Sequence, residues 1–419
     1  MSRLSHLLLP GAALWLCGLA AAAELPAIAE LPAPGLVRQA LDSHPAVRGA
    51  LAGVAAGDAR RAQLLAGPHE FEVTVGAARR REVAAGLNAR ESEIALQRAF
   101  RLPGKGEKDQ QLGDELLARA RHLHGDALHE AGRLLLASWF AAKREALAVA
   151  EGEAQIAIWR EQLRITARRV ALGDAAALEQ SLVEAQLAQA EAQATAARSR
   201  LRGAEETLRQ HFPAIPAPGA AALPAPDATP ASEDWLERML AENHELLAAR
   251  SEARQYRINA QRAALERLPD PRLALRWTSE RDGQEKLVGL QLTLPLPGSG
   301  RAAASRGATA EADAADSREA AMLAKAQSEA RRTLAQVAAS YRQWQSLEDA
   351  AQRLGRNAEL LDKAWRIGEG GINDLINARR LAAEARLVSA QARADAHEAR
   401  QRLLLDAHVL WDFADGQPG

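Results

Sequence analysis

Two short alternating stretches in this chain each pass, through a Leu-Pro-Gly step, into helical sequence far too long for a globular domain. In the later one, Val288, Leu290, Leu292, Leu294 and Leu296 fall on one side of an extended chain, and Gly289, Gln291 and Thr293 on the other. That is the period of a strand with one apolar and one polar face. It leaves through Pro295, Pro297, Gly298 and Gly300, and residues 301–367 then keep helical periodicity without a proline. In the earlier one, Ile94, Leu96, Phe100 and Leu102 alternate, Pro103, Gly104 and Gly106 form the step, and residues 105–172 contain no proline. At ~1.5 Å per residue each continuous helix is on the order of 100 Å long.

The rest of the chain repeats around these two transitions. Residues 35–65 read as helix interrupted at Ser43-His44-Pro45, where the residue before proline is driven out of the helical region. Strand one covers 70–79, a polar loop 82–90, and strand two 91–102, with Arg98 out of place on its apolar face. Gly173-Asp174 ends the first long helix and 175–211 returns antiparallel to it, because a short turn between long helices makes a hairpin. The Pro/Ala-rich segment 213–230 reads as a linker. The order then restarts: helix 235–268, strand three 271–279 carrying Leu273, Leu275 and Trp277, loop 281–285, strand four 286–296, long helix, turn Gly368-Glu369-Gly370-Gly371, and return helix 373–411. Ser43-His44-Pro45 and Asn243-His244-Glu245, the two Leu-Pro-Gly steps, and Gly173 and Gly368 recur at similar offsets, so the chain is an internal duplication with repeats at 34–212 and 231–413.

Composition fits long helices and coiled coils: aromatics are 4% and charged residues 26%. A formal net charge of −1 offers no basic field for nucleic acid. Residues 1–23 read as a secretory signal, with Arg3, an apolar run over 7–19 and Ala21-Ala22-Ala23 before Glu24. Residues 24–33 form a Pro/Ala leader. The single cysteine, Cys17, lies in the signal, so the mature chain has no disulfide and no thiolate metal site. Beyond the signal no run of about twenty apolar residues exists to span a membrane as a helix.

Four strands of about ten residues match tilted membrane-barrel strands in length. They also match an ordinary soluble sheet. In lipid, four strands cannot close a barrel, and open edges leave backbone groups unpaired. A membrane reading therefore requires several chains to share one barrel, with Phe71, Phe100 and Trp277 at the interfaces. Ala303, Ala310, Ala314 and Ala321 are expected at close-packed helix positions, while Arg331, Arg332, Glu348 and Asp349 mark polar faces that suit a wet helical tube or a solvated coiled coil.

The ordered set of features resembles the outer membrane efflux proteins whose type member is TolC. It comprises the duplication, the strand pairs, the Pro-Leu-Pro exit of strand four, and the turn Trp365-Arg366-Ile367-Gly368 followed by Asp374-Leu375-Ile376-Asn377-Ala378. Ser43-His44-Pro45 and the Gly104-Lys105 junction look closest to the CzcC-like branch that serves heavy-metal pumps, which has Arg where this chain has Gly106. The resemblance implies a mainly α protein with transmembrane β: a homotrimer with a twelve-stranded barrel in outer membrane lipid above an α-helical periplasmic tunnel. It implies a passive exit duct, without cofactor, that docks on a membrane-fusion adaptor and an inner-membrane pump. It places Asp374 and Asn377 at the aperture. The turns containing Leu172, Gly173 and Asp174, and Ile367, Gly368, Glu369, Gly370 and Gly371, become adaptor contacts. Heavy-metal cations are the first expectation for cargo, with drugs or other small molecules the alternative.

His122, His124 and His129 suggest a metal site, but residues i and i+2 on a helix do not face each other, and they are expected to be solvated. Gly104 to Lys108 lacks phosphate-loop spacing, and no Ser/His/Asp context appears, so an enzyme is not expected. The competing reading is a periplasmic adaptor or scaffolding coiled coil. Adaptors carry one hairpin between β-rich flanks, whereas two hairpins are expected here.

Overall fold

The computed structural model describes residues 31–84, 86–228 and 233–411; the signal and most of the leader lie outside them. Two short N-terminal helices, α1 (Pro34–Ser43) and α2 (Pro45–Ala66), lead into strands β1 (Glu72–Glu82) and β2 (Leu87–Ala99). Helix α3 (Lys105–Ala171) then runs 67 residues and α4 (Ala177–His211) returns over 35. The second half repeats this with α5 (Glu233–Ala241), α6 (His244–Leu265), β3 (Arg272–Glu280), β4 (Glu285–Thr293), the 68-residue α7 (Ser299–Arg366) and the 35-residue α8 (Ile372–Asp406).

The strands form one antiparallel sheet in the order β1-β2-β3-β4. Beneath it the helices pack in the parallel order α2-α3-α6-α7, so the open flanks of α2 and α7 lie below the open edges β1 and β4. The hairpin β1–β2 is longer than its sequence suggests. Arg79, the expected strand end, and Arg80 and Arg81 beyond it pair with Arg90, Ala89 and Asn88 of the expected loop, because a stretch polar on both faces hides the period-2 signal. Strand β4 stops at Thr293 rather than at 296. Its last partner is Arg272, and Pro295 has no N–H to continue a ladder. Arg98 is accommodated at the near end of the sheet: its guanidinium lies 4.6 Å from the centroid of the Phe71 ring and donates to the His69 carbonyl.

The expected helix over 235–268 is two helices. Asn243 Oδ1 accepts the Leu246 N–H at 2.7 Å and caps α6, the counterpart of the His44-Pro45 break before α2. Between α4 and α5, Phe212, Ile215 and Leu223 are buried. This extended segment is held through its carbonyls: Lys143 Nζ donates to Gly219 and Ala221 at 3.0 and 2.7 Å, and Arg393 to Leu223 at 3.0 Å. It crosses from α3 to α8 as a strap.

The largest apolar core sits at this waist, where α1, the start of α2, the middle of α3, the strap and the end of α8 meet around Leu135, Phe140, Phe212 and Leu405. A second core lies near the hairpin turns, around Trp159, Val183, Trp365 and Leu375. Along α7 the buried alanines are Ala308, Ala312, Ala315, Ala326, Ala330, Ala351 and Ala358. Ala303, Ala310, Ala314 and Ala321 are instead exposed, because a helix with alanine on several faces does not declare which stripe packs.

Candidate functional site

The two hairpin turns have the same backbone. After α3, the Gly173 N–H donates to the Val170 carbonyl and the Asp174 N–H to Arg169; after α7, Gly368 donates to Trp365 and Glu369 to Ala364. This paired 5→2 and 6→1 closure with a left-handed residue at C′ is the Schellman motif. Gly173 and Gly368 sit at φ +81° and +83°, where a Cβ is strained. The return helices start from Ala176 and Gly371 at almost identical angles, −77°/145° and −78°/145°. Each turn presents one bare apolar side chain, Leu172 at 61% exposure and Ile367 at 70%. An apolar residue that exposed at a turn is available to a partner surface.

The return helices then diverge. Asp374 occupies the third position of α8 and Glu179 the third of α4. Asp374 is exposed, and its Oδ2 would stand 3.2 Å from a Cβ built on Gly371, so the carboxylate folds back over the helix N-terminus, where the dipole favours it. Asn377 lies one turn further on and is also exposed, while Leu375, Ile376 and Ala378 are buried. Asp374 and Asn377 thus share one bare polar face, whereas Glu179 is half-buried.

The second turn is the more firmly seated. Trp365 is 2% exposed, with the Arg169 guanidinium 4.8 Å from its ring centroid. Above it, Arg379 of α8 joins three helices, donating to Asp362 of α7 at 2.5 Å and Gln162 of α3 at 2.8 Å. The seam between the hairpins continues upward as ion pairs between α3 and α8: Glu151 with Arg386 at 2.9 Å, Arg144 with Asp395 at 2.9 Å, and Arg133 with Asp406 at 3.0 Å.

The two strand-to-helix junctions share letters but not chemistry. Gly104 takes φ +86° to start α3 and Gly106 is half-buried beside Arg101. Pro103 is exposed and Lys105 is buried. Lys105 Nζ lies 2.8 Å from Asp270 Oδ1 and 3.2 Å from Glu266 Oε2, and donates to the Leu268 carbonyl at 2.7 Å. Asp270 also accepts the Leu102 N–H at 3.0 Å and shares a hydrogen bond with His69 Nε2 at 2.7 Å. Burial pushes the Asp270 carboxyl up, but the bonds from Lys105, His69 and Leu102 outweigh it and hold it below the usual range. At the second junction Pro295, Pro297, Gly298, Ser299 and Gly300 are all exposed, and Gly298 is extended at φ −117°.

The waist holds the one histidine cluster that sequence reading misplaced. His129, expected to be solvated, is buried against the end of α8: its Nε2 lies 3.2 Å from the Leu405 carbonyl, and its ring stacks on His408 at 5.4 Å. Desolvation, with Arg133 and His408 nearby, pushes its pKa down to about 2. His244 meets His408 edge-on at 5.1 Å. It reaches α3 only because residue 125 is glycine, since a Cβ there would lie 2.6 Å from its ring. Among the described residues no group of His, Cys, Asp and Glu is placed to hold a metal ion. His122 and His124 are half-buried. The signal for His129 lies in its i+3 and i+7 neighbours Gly132 and Leu136, which continue the buried stripe of α3.

No protein-family profile matches the chain, and no curated protein matches its sequence. Solved structures do match its shape. The Campylobacter jejuni CmeC outer membrane channel superposes with a TM-score of 0.73 at 14% identity, covering 90% of this chain and 85% of that one. The outer-membrane channel OprN gives 0.72 at 18% identity, covering 90% of each chain. The outer membrane protein VceC from Vibrio cholerae gives 0.72 at 16% identity, covering 90% of this chain and 95% of that one. The duplicated sheet-and-hairpin architecture of this chain is the TolC-like outer membrane channel fold.

Proposed function

We propose that three copies of this chain close edge to edge into a channel of the outer membrane, an exit duct that passively conducts small solutes delivered by an inner-membrane pump through a periplasmic adaptor. The observation that carries this reading is the sheet. Its apolar face is bare, with Val288 and Leu290 at 74% and 72% exposure, and both of its edges are unpaired. A bare apolar sheet face of this kind is stable in lipid but not in water, and open edges in lipid must be closed by neighbouring strands. The open flanks of α2 and α7 are free to receive a neighbouring copy, and the exposed alanines of α7 would let helices approach closely. Four strands from each of three copies give twelve, within the range of closed barrels. The fold shared with the CmeC, OprN and VceC channels supports the same reading.

In this assembly the sheet lies in the membrane, the hairpins extend into the periplasm, and Leu172 and Ile367 at the turns meet the adaptor. Asp374 and Asn377 line the narrow end, where a ring of carboxylates favours cations. Heavy-metal cations are the proposed cargo, on the resemblance of the Ser43-His44-Pro45 and Gly104-Lys105 segments to the CzcC-like branch. Such a duct passes the ion rather than holding it. No feature of the chain calls for enzymatic chemistry. The scaffolding reading is weaker because a soluble coiled coil has no use for a bare apolar sheet.

The test is the mass and membrane fraction of the mature protein in mild detergent, followed by conductance in a planar bilayer. A trimer from the outer membrane that conducts is expected. A soluble monomer overturns the reading. For cargo, cells carrying the duct are expected to tolerate Zn²⁺ or Co²⁺ better than cells lacking it; equal tolerance removes the metal assignment.

A further inference from the structure

Residues directly opposed across an antiparallel pair point to the same side, so the register assigns each strand residue to a face. Val75, Ile94, Trp277 and Val288 form one row across all four strands on the apolar face. The next row on that face, about 7 Å further from the helices, is Ala77, Ser92, Ser279 and Lys286. Beyond it Arg79 stands directly opposite Arg90, and Arg81 opposite Asn88. The apolar face therefore ends, at the side away from the helices, in four cations: Arg79, Arg81, Arg90 and Lys286. All four are exposed.

The acids at this end are on the other face. There Arg80 meets Glu91 at 2.7 Å and Glu280 at 3.3 Å, and Arg276 meets Glu93 at 2.8 Å. Charges on that face are of both signs, and Arg80 and Arg276 are paired. Outward charges are of one sign, and among the described residues none of the four side chains forms an ion pair. Arg90 meets Asp282 only through its backbone N–H, at 2.9 Å. Like charges directly opposed, as Arg79 and Arg90 are, destabilise a sheet unless an anion lies between them. A guanidinium pair suits phosphate oxygens, which it engages by two parallel hydrogen bonds.

We propose that Arg79, Arg81, Arg90 and Lys286 bind the phosphate groups of anionic lipid in the leaflet farther from the periplasm. The proposal rests on the barrel reading above. Position and charge fit together: from Val288 on β4 to Leu296 in the segment that follows the strand, a fully extended chain spans at most about 27 Å, or roughly 20 Å once tilted as barrel strands are. The cations begin where that band ends, at the depth of phosphorylated headgroups. The hydroxyls of Ser92 and Ser279 lie in the same row as Lys286 and add donors there.

The experiment uses the full mature protein, purified in zwitterionic detergent. It is incubated with bis-phosphorylated lipid A or with the same glycolipid stripped of phosphate, and retained lipid is measured by native mass spectrometry after delipidation. The wild type is expected to retain the phosphorylated lipid. The variant R79Q/R90Q/K286Q is expected to retain it about tenfold less or weaker still, since each surface cation contributes to anionic-lipid attraction. The inward variant Arg80→Gln should retain it as the wild type does. Equal retention by wild type and triple variant, equal retention of the stripped glycolipid, or displacement by millimolar inorganic phosphate alone would each overturn the proposal. Conductance of the same preparations separates the two readings. A conducting trimer with charge-insensitive retention removes the lipid site alone, and a soluble monomer removes both.

Discussion

The strand-to-helix junctions of the two halves begin from almost the same letters and end in opposite environments. Aligning Gly104 with Gly298 sets Lys105 opposite Ser299. Lys105 is buried because the end of α6, which belongs to the other half, closes over it with Glu266, Leu268 and Asp270. Ser299 is bare because no helix of the same chain follows α7 in the row α2-α3-α6-α7. A duplicated chain with two ends in its helix row seals its middle junction itself and leaves the outer one open. If copies assemble as proposed, this difference between the halves marks the surface that a neighbour would cover.

Breaking the sealed junction should have the largest effect. Lys105→Met leaves Asp270 and Glu266 without their buried cation, and removing one partner of a buried pair typically costs about 3–5 kcal/mol. Thermal unfolding in detergent should show that loss, while Ser299→Ala should stay within about 0.5 kcal/mol of the wild type. Equal effects at the two positions would mean that the junctions are not differently sealed. The Lys105→Met protein should also be stabilised relative to itself on mild acidification. With the lysine gone, the Asp270 carboxyl rises and can be neutralised where it is buried.

The waist offers a second contrast, because the buried histidine of α3 has no counterpart on α7: His129 aligns with Leu323. Its folded pKa of about 2 lies below the ordinary value of 6.5. Below pH 6.5 the unfolded chain takes up a proton there that the folded chain refuses. The stability tied to this residue is therefore intact above pH 6.5 and is lost progressively as pH falls toward 2. His129→Gln, which keeps a donor for the Leu405 carbonyl, should flatten the melting temperature between pH 6.5 and about 4.5, above the range in which ordinary carboxylates titrate. An unchanged slope would assign that pH dependence to other groups.

Much of this was legible in the sequence, and the exceptions share a cause. The duplication, the strand pairs and both turn glycines could be read because each depends on local periodicity or on a backbone that needs glycine. The break before α6 was missed although Asn243 was visible as a repeat of His44: an asparagine is compatible with a helix interior, whereas the proline at 45 is not. The sequence ends strand one at Arg79 and reads 82–90 as a loop, whereas β1 runs to Glu82 and β2 begins at Leu87, because Arg79, Arg80 and Arg81 are polar on both faces. Which alanines of α7 pack, and that His129 is buried, depended on where α6 and α8 lie. An aperture role for Asp374 and Asn377 rests on the family resemblance alone, and the helix N-terminus by itself accounts for the position of the Asp374 carboxylate.

The return helices sharpen the comparison at the turns. Asp374 and Glu179 occupy equivalent third positions, yet Asp374 is bare beside Asn377 and Glu179 is half-buried. If the second hairpin lines the aperture, Asp374→Ala should raise single-channel conductance and lower cation selectivity, because one carboxylate per copy leaves the ring. Glu179→Ala should alter neither. Unchanged conductance and selectivity in the Asp374 variant would remove it from the aperture.

The smallest expected effect is also the cleanest separation of letter from geometry. Both junctions read Leu-Pro-Gly, so sequence alone assigns the two glycines one role. Gly104 sits at φ +86° and Gly298 at −117°. A Cβ at the first position meets the following backbone in the left-handed region, which costs about 1–2 kcal/mol; at the second any residue is at ease. Space does not confuse the test: a Cβ on Gly104 finds its nearest neighbour, Leu265 Cδ1, at 3.5 Å, an ordinary contact, and one on Gly298 finds nothing within 4 Å. Gly104→Ala should therefore lower stability by about 1 kcal/mol, and Gly298→Ala should leave it unchanged or raise it slightly by stiffening the unfolded chain. If both substitutions cost the same, Gly298 must change conformation in the assembly, and the outer junction would then be remodelled, not merely covered, by a neighbouring copy.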